Sequence, residues 1–296
     1  MPSRRILITG ASGQLGSYVL DELRGSSDPI IAWGSGQAHS AILQGGTVLK
    51  TVLQPVDLTD TDQVVRCFAE AKPNLVLHAA AVASIAACYQ SPERADKINH
   101  QGTALLAELA ARSGARLLNV STDLVFDGKK GEYTEGDEAS PLSIYGRSKL
   151  AGEKAALAIA SNLVVRMSLL VGPSLKPERP NFFDQQTQSL LAGKPIGCFV
   201  DEWRTPLTHR WAAKMVLMLL RDWDGTGLVH LGGPERLSRF EIGQRLAHRL
   251  GASTEKVDPI AQAAVATAEP RPRDVSLNSG LWRRMFPNEP WPICEW

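Results

Sequence analysis

The chain opens on a strand-length apolar run, Arg4 to Thr9, that leads directly into Gly10-Ala11-Ser12-Gly13-Gln14-Leu15-Gly16 and then into a helical stretch reaching about Leu23. Few folds call for three glycines at that spacing between a buried strand and a helix. A turn without side chains lets the backbone approach a bound pyrophosphate. The N-terminus of the next helix adds unpaired N–H groups and a partial positive charge. The glycines follow GxxGxxG instead of the commoner GxGxxG, and a tight turn with no ligand is the alternative reading. The position between a first strand and a first helix favours a dinucleotide site made by Gly10, Ser12, Gly13, Gln14, Leu15 and Gly16.

Alternation continues after this turn. Pro29 to Trp33, Thr47 to Leu53, Asn74 to His78, Arg116 to Val120 and Leu163 to Met167 read as strands. Asp60 to Ala71, Pro92 to Arg112 and Ser143 to Ala160 read as helices. In Asp60 to Ala71 the residues Val64, Phe68 and Ala71 share one face. Strands alternating with helices predict an α/β chain: a Rossmann-type doubly wound parallel sheet with a smaller C-terminal substrate-binding part. Pro173, Pro177 and Pro180 mark where the chain leaves the sheet. We expect a cofactor domain over residues 1–168. Residues 169–296 form the substrate part, interleaved so that about 205–232 packs back on the first domain. Ser238-Arg239-Phe240-Glu241 is a capping-box pattern, and Gly251 ends the helix it opens. From Asp258 onward the chain reads as irregular structure packed on the first domain.

Composition narrows the function classes. Lys and Arg exceed Asp and Glu by one, so the formal net charge is +1, without the basic surplus of a nucleic-acid binder. No apolar run approaches the ~18 residues of a membrane span, and the apolar run near the N-terminus is too short for a signal peptide. A cytoplasmic protein is expected. Cys67, Cys88, Cys198 and Cys294 lack metal spacing and read as free thiols. His78, His209 and His230 likewise show no ligand spacing, so no metal is expected.

The end of the second strand usually selects the cofactor, because an acid there binds the ribose 2′-hydroxyl and repels a 2′-phosphate. Here the residues are Ala32-Trp33-Gly34-Ser35-Gly36-Gln37, with neither acid nor arginine. Ser35 and Gln37 can hydrogen-bond a 2′-phosphate, so NADP(H) is favoured and NAD(H) is possible. Asp57, beside Leu58, is placed to accept from an adenine amino group, with a helix cap as the alternative. Ala79, Ala80 and Ala81, after the Asn74–His78 strand, leave room for the cofactor.

Tyr145 and Lys149 stand four apart on a predicted helix and therefore share a face. A tyrosine hydroxyl is a weak acid–base group at pH 7 until a nearby cation stabilises its phenolate. The lysine can supply that cation and also hold the ribose of a nicotinamide cofactor. Upstream, Ser121-Thr122-Asp123 places hydroxyls at a strand end, on the edge where parallel sheets bind ligands.

With these residues assembled, the chain resembles the extended short-chain dehydrogenase/reductases. Within them it resembles the dTDP-4-dehydrorhamnose reductase family, whose relatives include the regulatory β-subunit of methionine adenosyltransferase. The block from Ser121 to Lys154, the segment Lys97-Ile98-Asn99-His100-Gln101-Gly102-Thr103 and the segment Arg271-Pro272-Arg273-Asp274 carry the likeness. The resemblance implies that Tyr145 protonates the reduced carbonyl oxygen, that Lys149 tunes it and binds ribose, and that Thr122 hydrogen-bonds the substrate carbonyl, with Ser121 as second choice. It implies that Asn99 organises the hydrogen bonds of the site. Some relatives carry an acidic residue linked to metal use in the first helix, where this chain has Tyr18.

Two segments depart from the family pattern: Val82 to Cys88, and Asp201-Glu202-Trp203-Arg204-Thr205-Pro206-Leu207-Thr208. Both are expected near the substrate, so they leave the sugar open. Ser84, Asp123, Trp203, Arg204, Arg271 and Arg273 are the candidate substrate contacts, since a sugar nucleotide needs cations for its diphosphate and an aromatic face for base or sugar. Surface ion pairs and a core tryptophan are the alternative. The expected activity is NAD(P)H-dependent reduction of a carbonyl, foremost a 4-keto sugar nucleotide. An epimerase and an NADP-binding regulatory subunit are the rivals. Thr122-Asp123-Leu124 lacks the glutamate that a dehydratase needs. Members of this superfamily often dimerise through the helix of the catalytic tyrosine. Ala151, Gly152, Ala155, Ala156 and Ala158 permit a homodimer of that kind.

Overall fold

The computed structural model describes residues 4–290 apart from 36–38 and 44–46, with backbone only for 39–43 and 47–51. The first half runs β1 (Ile6–Thr9), α1 (Gln14–Glu22), β2 (Ile30–Gly34), β3 (His39–Leu43), β4 (Thr47–Pro55), α2 (Thr61–Ala71), β5 (Leu75–His78), α3 (Ile85–Gln90), α4 (Pro92–Asp96), a π turn (Lys97–Gln101), α5 (Gly102–Ser113), β6 (Arg116–Thr122), α6 (Ile144–Leu157) and β7 (Leu163–Met167). The second half runs β8 (Leu170–Val171), α7 (Phe182–Leu191), β9 (Ile196–Phe199), β10 (Trp203–Arg204), β11 (Leu207–Thr208), α8 (His209–Arg221), β12 (Gly227–Leu231), β13 (Leu237–Ser238), α9 (Arg239–Arg249), β14 (Val257–Ile260) and α10 (Gly280–Met285).

The central sheet has the order β12-β7-β6-β5-β1-β2-β4-β3. Every pairing is parallel except β3 with β4. Alternate strand residues serve opposite cores. Ile6 and Ile8 pack with Leu15, Val19 and Leu20 of α1, with Met215, Val216 and Leu219 of α8, and with Trp282 of α10. Leu7 faces the other way, toward Val64 and Phe68 of α2 and Leu106 and Ala110 of α5. This is the expected doubly wound sheet. Its order reverses at β1, so a crevice opens between the C-terminal ends of β1 and β5.

A separate small core joins Phe183 and Leu190 of α7, Ile196 and Cys198 of β9, Ile242 and Leu246 of α9, and Val257 of β14. It sits beyond the ends of β6 and β7. The capping box at Ser238 and Glu241 is formed as the sequence predicts. The C-terminal segment is more regular than its sequence pattern suggests. Val257–Ile260 pairs in parallel with β9, so it belongs to this second core and not to the first domain. Gly280–Met285 is a helix that buries Trp282. The long helix predicted over Pro92 to Arg112 is interrupted by the π turn, where the Gly102 N–H reaches back to the Lys97 carbonyl. Gly152 of α6 lies against that turn, and a Cβ there would stand 2.2 Å from the Asn99 carbonyl oxygen.

Candidate active site

Gly10, at φ 69°, turns the chain out of β1 under the start of β5's loop; a Cβ on it would lie 2.6 Å from the Ala80 nitrogen. Gly16 packs as closely against the Gly10 carbonyl, pressing α1 onto the turn. The N-cap of α1 is Gly13, which brings no side-chain acceptor. The first N–H groups of α1 therefore stay open for an anion. Gly10, Ser12, Gly13, Gln14, Leu15, Gly16, Ser35, Asp57, Leu58, Ala79, Ala80 and Ala81 all line one cavity of about 720 Å³.

At its β2 end the Ser35 N–H points to the Ser12 hydroxyl at 3.4 Å. Gln37 lies outside the described residues. Asp57 accepts from the Thr59 N–H and hydroxyl at 2.9 and 2.8 Å, and these bonds hold its carboxyl below the usual range. The cap of α2 is Asp60, which accepts from the Gln63 N–H at 2.9 Å. Asp57 therefore keeps its place on the cavity wall. Gln63, Arg94, Ile98 and Arg179 line the same cavity, and no local motif marks them.

A second cavity, about 410 Å³, adjoins the first and shares Gln14, Ala83 and Leu170 with it. Thr122, Asp123, Tyr145, Arg204 and Arg271 line it. Thr122 ends β6 and Tyr145 opens α6, whose N-cap Ser143 accepts from the Gly146 N–H. Gly146 lets α6 approach, since a Cβ there would lie 2.3 Å from the Leu124 carbonyl oxygen. Burial pushes the Tyr145 hydroxyl above its ordinary pKa, and the Thr122 hydroxyl opposes that rise. The Thr122 hydroxyl also reaches the Asp123 carboxylate at 3.2 Å. Burial raises the Asp123 pKa, with Arg204 opposing.

Lys149 is buried beneath this wall and donates to the Val120 carbonyl at 2.7 Å. Burial lowers its pKa to about 8. Asn99 donates to the Val82 carbonyl and the Ser148 hydroxyl and accepts from the Val82 N–H at 2.8 Å. It thus ties the β5 loop to α6 beside Lys149. Ser121 turns away from the cavity and donates to Glu153, a buried carboxylate held by Arg166. His78 bridges Thr9 and Thr103. The Thr103 hydroxyl donates to the Asn99 carbonyl, so His78 Nε2 carries the proton. Burial first, and Lys149 second, lower the His78 pKa to about 3.

Three candidate substrate residues stand apart from the second cavity. Ser84 is the exposed N-cap of α3. Trp203 lies under the Arg236 guanidinium, 4.6 Å from its ring centre. Arg273 is exposed and pairs with Asp201 at 3.6 Å. Two other residues take up wall positions. Glu202 is buried and bridged by Arg271, with Arg204 3.8 Å away; against the upward pull of burial, Arg271 and Arg204 hold its carboxyl below the usual range. Arg239 lies over the Phe182 ring at 4.3 Å. Among the described residues its guanidinium has no hydrogen-bond or ion-pair partner. Burial, reinforced by Arg204, lowers its pKa to about 10. Arg239 is legible in the sequence only as part of the capping box, because nothing local says that the first turn of α9 faces Phe182.

Tyr18, where some family members carry an acid, donates to the Pro173 carbonyl at 2.7 Å and stacks on His209. Among the described residues no group of three or more His, Cys, Asp or Glu side chains is placed to hold a metal ion. No helix there is long and apolar enough to cross a membrane.

Residues 4–293 match the model of the family described as RmlD substrate binding domain. A probable low-salt glycan biosynthesis reductase of Haloferax volcanii is 31% identical over 274 residues, covering 92% of this chain and 88% of that protein. Methionine adenosyltransferase 2 subunit beta of Rattus norvegicus is 30% identical over 287 residues, covering 94% and 81%. The crystal structure of a dTDP-4-dehydrorhamnose reductase from Clostridium acetobutylicum superposes with a TM-score of 0.79 at 28% identity, covering 93% of this chain and 90% of that one.

Proposed function

The chain belongs to the RmlD substrate binding domain family, and from that premise we propose that it is an NADP(H)-preferring reductase of a carbonyl on a sugar nucleotide. One observation carries the reading: Thr122 and Tyr145 meet on the wall of a cation-lined cavity that adjoins the glycine-turn cavity. A nicotinamide cofactor fits the larger cavity, where the open α1 N–H groups and the closely approached backbone of the glycine turn match a pyrophosphate and the Asp57 carboxylate matches an adenine amino group. The absence of an acid at Ser35 favours NADP(H), with NAD(H) accepted.

When bound, the cofactor supplies a hydride to the carbonyl carbon. Thr122 and Tyr145 orient the carbonyl oxygen by donating to it, and Tyr145 gives up its proton there as negative charge develops. In the ligand-free protein burial keeps that proton on Tyr145. Lys149, one helical turn on from Tyr145, is the cation we assign to stabilise the phenolate left behind. Asn99 acts on the positions of Ser148 and the β5 loop. Arg204, Arg239 and Arg271 form the anion-binding wall for a diphosphate, with Glu202 fixing Arg271. On this reading residues 1–168 carry the cofactor and 169–296 the substrate part. A homodimer through α5 and α6 completes the proposal, and light scattering tests it.

The test is oxidation of NADPH and NADH across a panel of 4-keto nucleotide sugars and simple ketones, with Tyr145→Phe alongside. Turnover should vanish in the variant while its NADPH affinity stays within about twofold. Wild-type-like turnover in Tyr145→Phe would overturn the assignment. A second reading rests on the likeness to the β-subunit: an NADP-binding regulatory subunit. A stoichiometric enzyme partner, with no oxidation of NADPH across the panel, would put that reading first.

A further inference from the structure

We propose that Arg179 is a pyrophosphate-binding arm of the cofactor cavity, delivered by a strap from the substrate side and anchored by Lys176. The proposal rests on the dinucleotide reading above. The strap spans 172–181, between β8 and α7. The Asn181 amide donates to the Gly172 carbonyl at 3.0 Å and closes it on itself. Three contacts then pin it to the cofactor side: Tyr18 of α1 donates to the Pro173 carbonyl at 2.7 Å, Gln14 donates to the Arg179 carbonyl at 2.8 Å, and Lys176 donates to the Ser12 carbonyl at 3.2 Å.

The electrostatics of this junction are incomplete. Arg179 also donates to the Ser12 carbonyl, at 3.4 Å. Two cations thus converge on one uncharged oxygen, at the N-terminus of a helix that has no acidic residue in its first turn and no side-chain cap. Each of these features favours an anion. Glu178 is the acidic neighbour within the strap, and it is exposed. Lys176 is buried and Arg179 is exposed on the cavity wall, so Lys176 anchors and Arg179 reaches. The Ser12 hydroxyl faces Gly34 and Ser35, whereas the Ser12 carbonyl faces the strap. Arg179 therefore stands on the α1 side, over the path of the pyrophosphate, and away from the Ser35 end where a 2′-phosphate would sit.

Calorimetric titration of NADPH, ADP-ribose and adenosine 2′-monophosphate against wild type, Arg179→Ala, Arg179→Lys and Arg179→Glu tests this. Arg179→Ala should weaken NADPH and ADP-ribose about ten- to hundredfold, the span of a charge-assisted hydrogen bond, and leave adenosine 2′-monophosphate within about twofold. Arg179→Lys should recover most of the loss, and Arg179→Glu should deepen it. ADP-ribose affinity unchanged in Arg179→Ala, or an equal loss for adenosine 2′-monophosphate, would overturn the assignment. Wild type that binds none of the three ligands overturns the dinucleotide reading itself, and Arg179's role with it.

Discussion

Arg239→Met separates a functional cation from a structural one. The guanidinium lies half-buried over Phe182 without a hydrogen-bond or ion-pair partner among the described residues. Its pKa falls to about 10, burial being the main cause. At 1.36 kcal/mol per pKa unit, the charged form is destabilised by about 3 kcal/mol. Below pH 10 the residue is charged in both folded and unfolded chains, so that cost persists through neutral pH. The cation–π contact with Phe182 offsets about 1 kcal/mol of it. Methionine keeps the apolar packing and removes the charge, so the variant should gain about 1–2 kcal/mol, a rise of a few degrees in Tm. It should also lose affinity for a nucleoside diphosphate, because one charge-assisted contact contributes about 1.5–3 kcal/mol, or about ten- to a hundredfold in the Kd of dTDP. Differential scanning calorimetry and dTDP titration read the two effects independently. A fall of several degrees in Tm with unchanged dTDP affinity refutes the reasoning, and Arg239 would then be a structural cation.

Lys149 should give a pH signature. Its folded pKa near 8 lies below the unfolded value of 10.5, so between those values the unfolded chain binds more protons and stability from this group rises with pH. Urea unfolding at pH 7.5 and 9.5 should show wild type gaining about 1–3 kcal/mol relative to Lys149→Met; a pH-independent difference contradicts the burial argument. Gly152→Ala forces a Cβ to within 2.2 Å of the Asn99 carbonyl and should cost about 1–3 kcal/mol by overpacking, visible as a lower Tm. An unchanged Tm means that the π turn yields freely. Glu202→Gln leaves Arg271 without its counter-ion and should cost about 3 kcal/mol in chemical denaturation, since breaking a buried pair strands a charge. An unaltered midpoint would show that Arg271 swings to solvent.

Local pattern and tertiary placement divide cleanly in this chain. Gly10, Gly13 and Gly16 announce the turn, and at Gly10 and Gly16 no other residue type allows the approach, since a Cβ there would lie 2.6 Å or less from neighbouring backbone. Tyr145 and Lys149 announce a shared helical face by spacing alone. Helix limits at Asp60 and Ser238 were legible from capping chemistry. Val257–Ile260 was not, because its Pro259 and short length mask a strand that exists only through pairing with β9. Trp203, an apparent stacking platform, is covered by Arg236, a contact between residues far apart in the chain.

The sequence by itself determined the doubly wound sheet, the glycine turn and the shared helical face of Tyr145 and Lys149, since each depends on short-range spacing, periodicity or backbone sterics. Tertiary structure alone decided which cations line the two cavities. Arg179 and Arg239 arrive from segments remote from the turn and from β6, while Arg273 pairs with Asp201 at the surface. Side-chain electrostatics depend on three-dimensional neighbours and burial, and nothing in the local spacing of an arginine records either. A chain with a formal net charge of +1 can therefore gather several cations around two adjoining cavities.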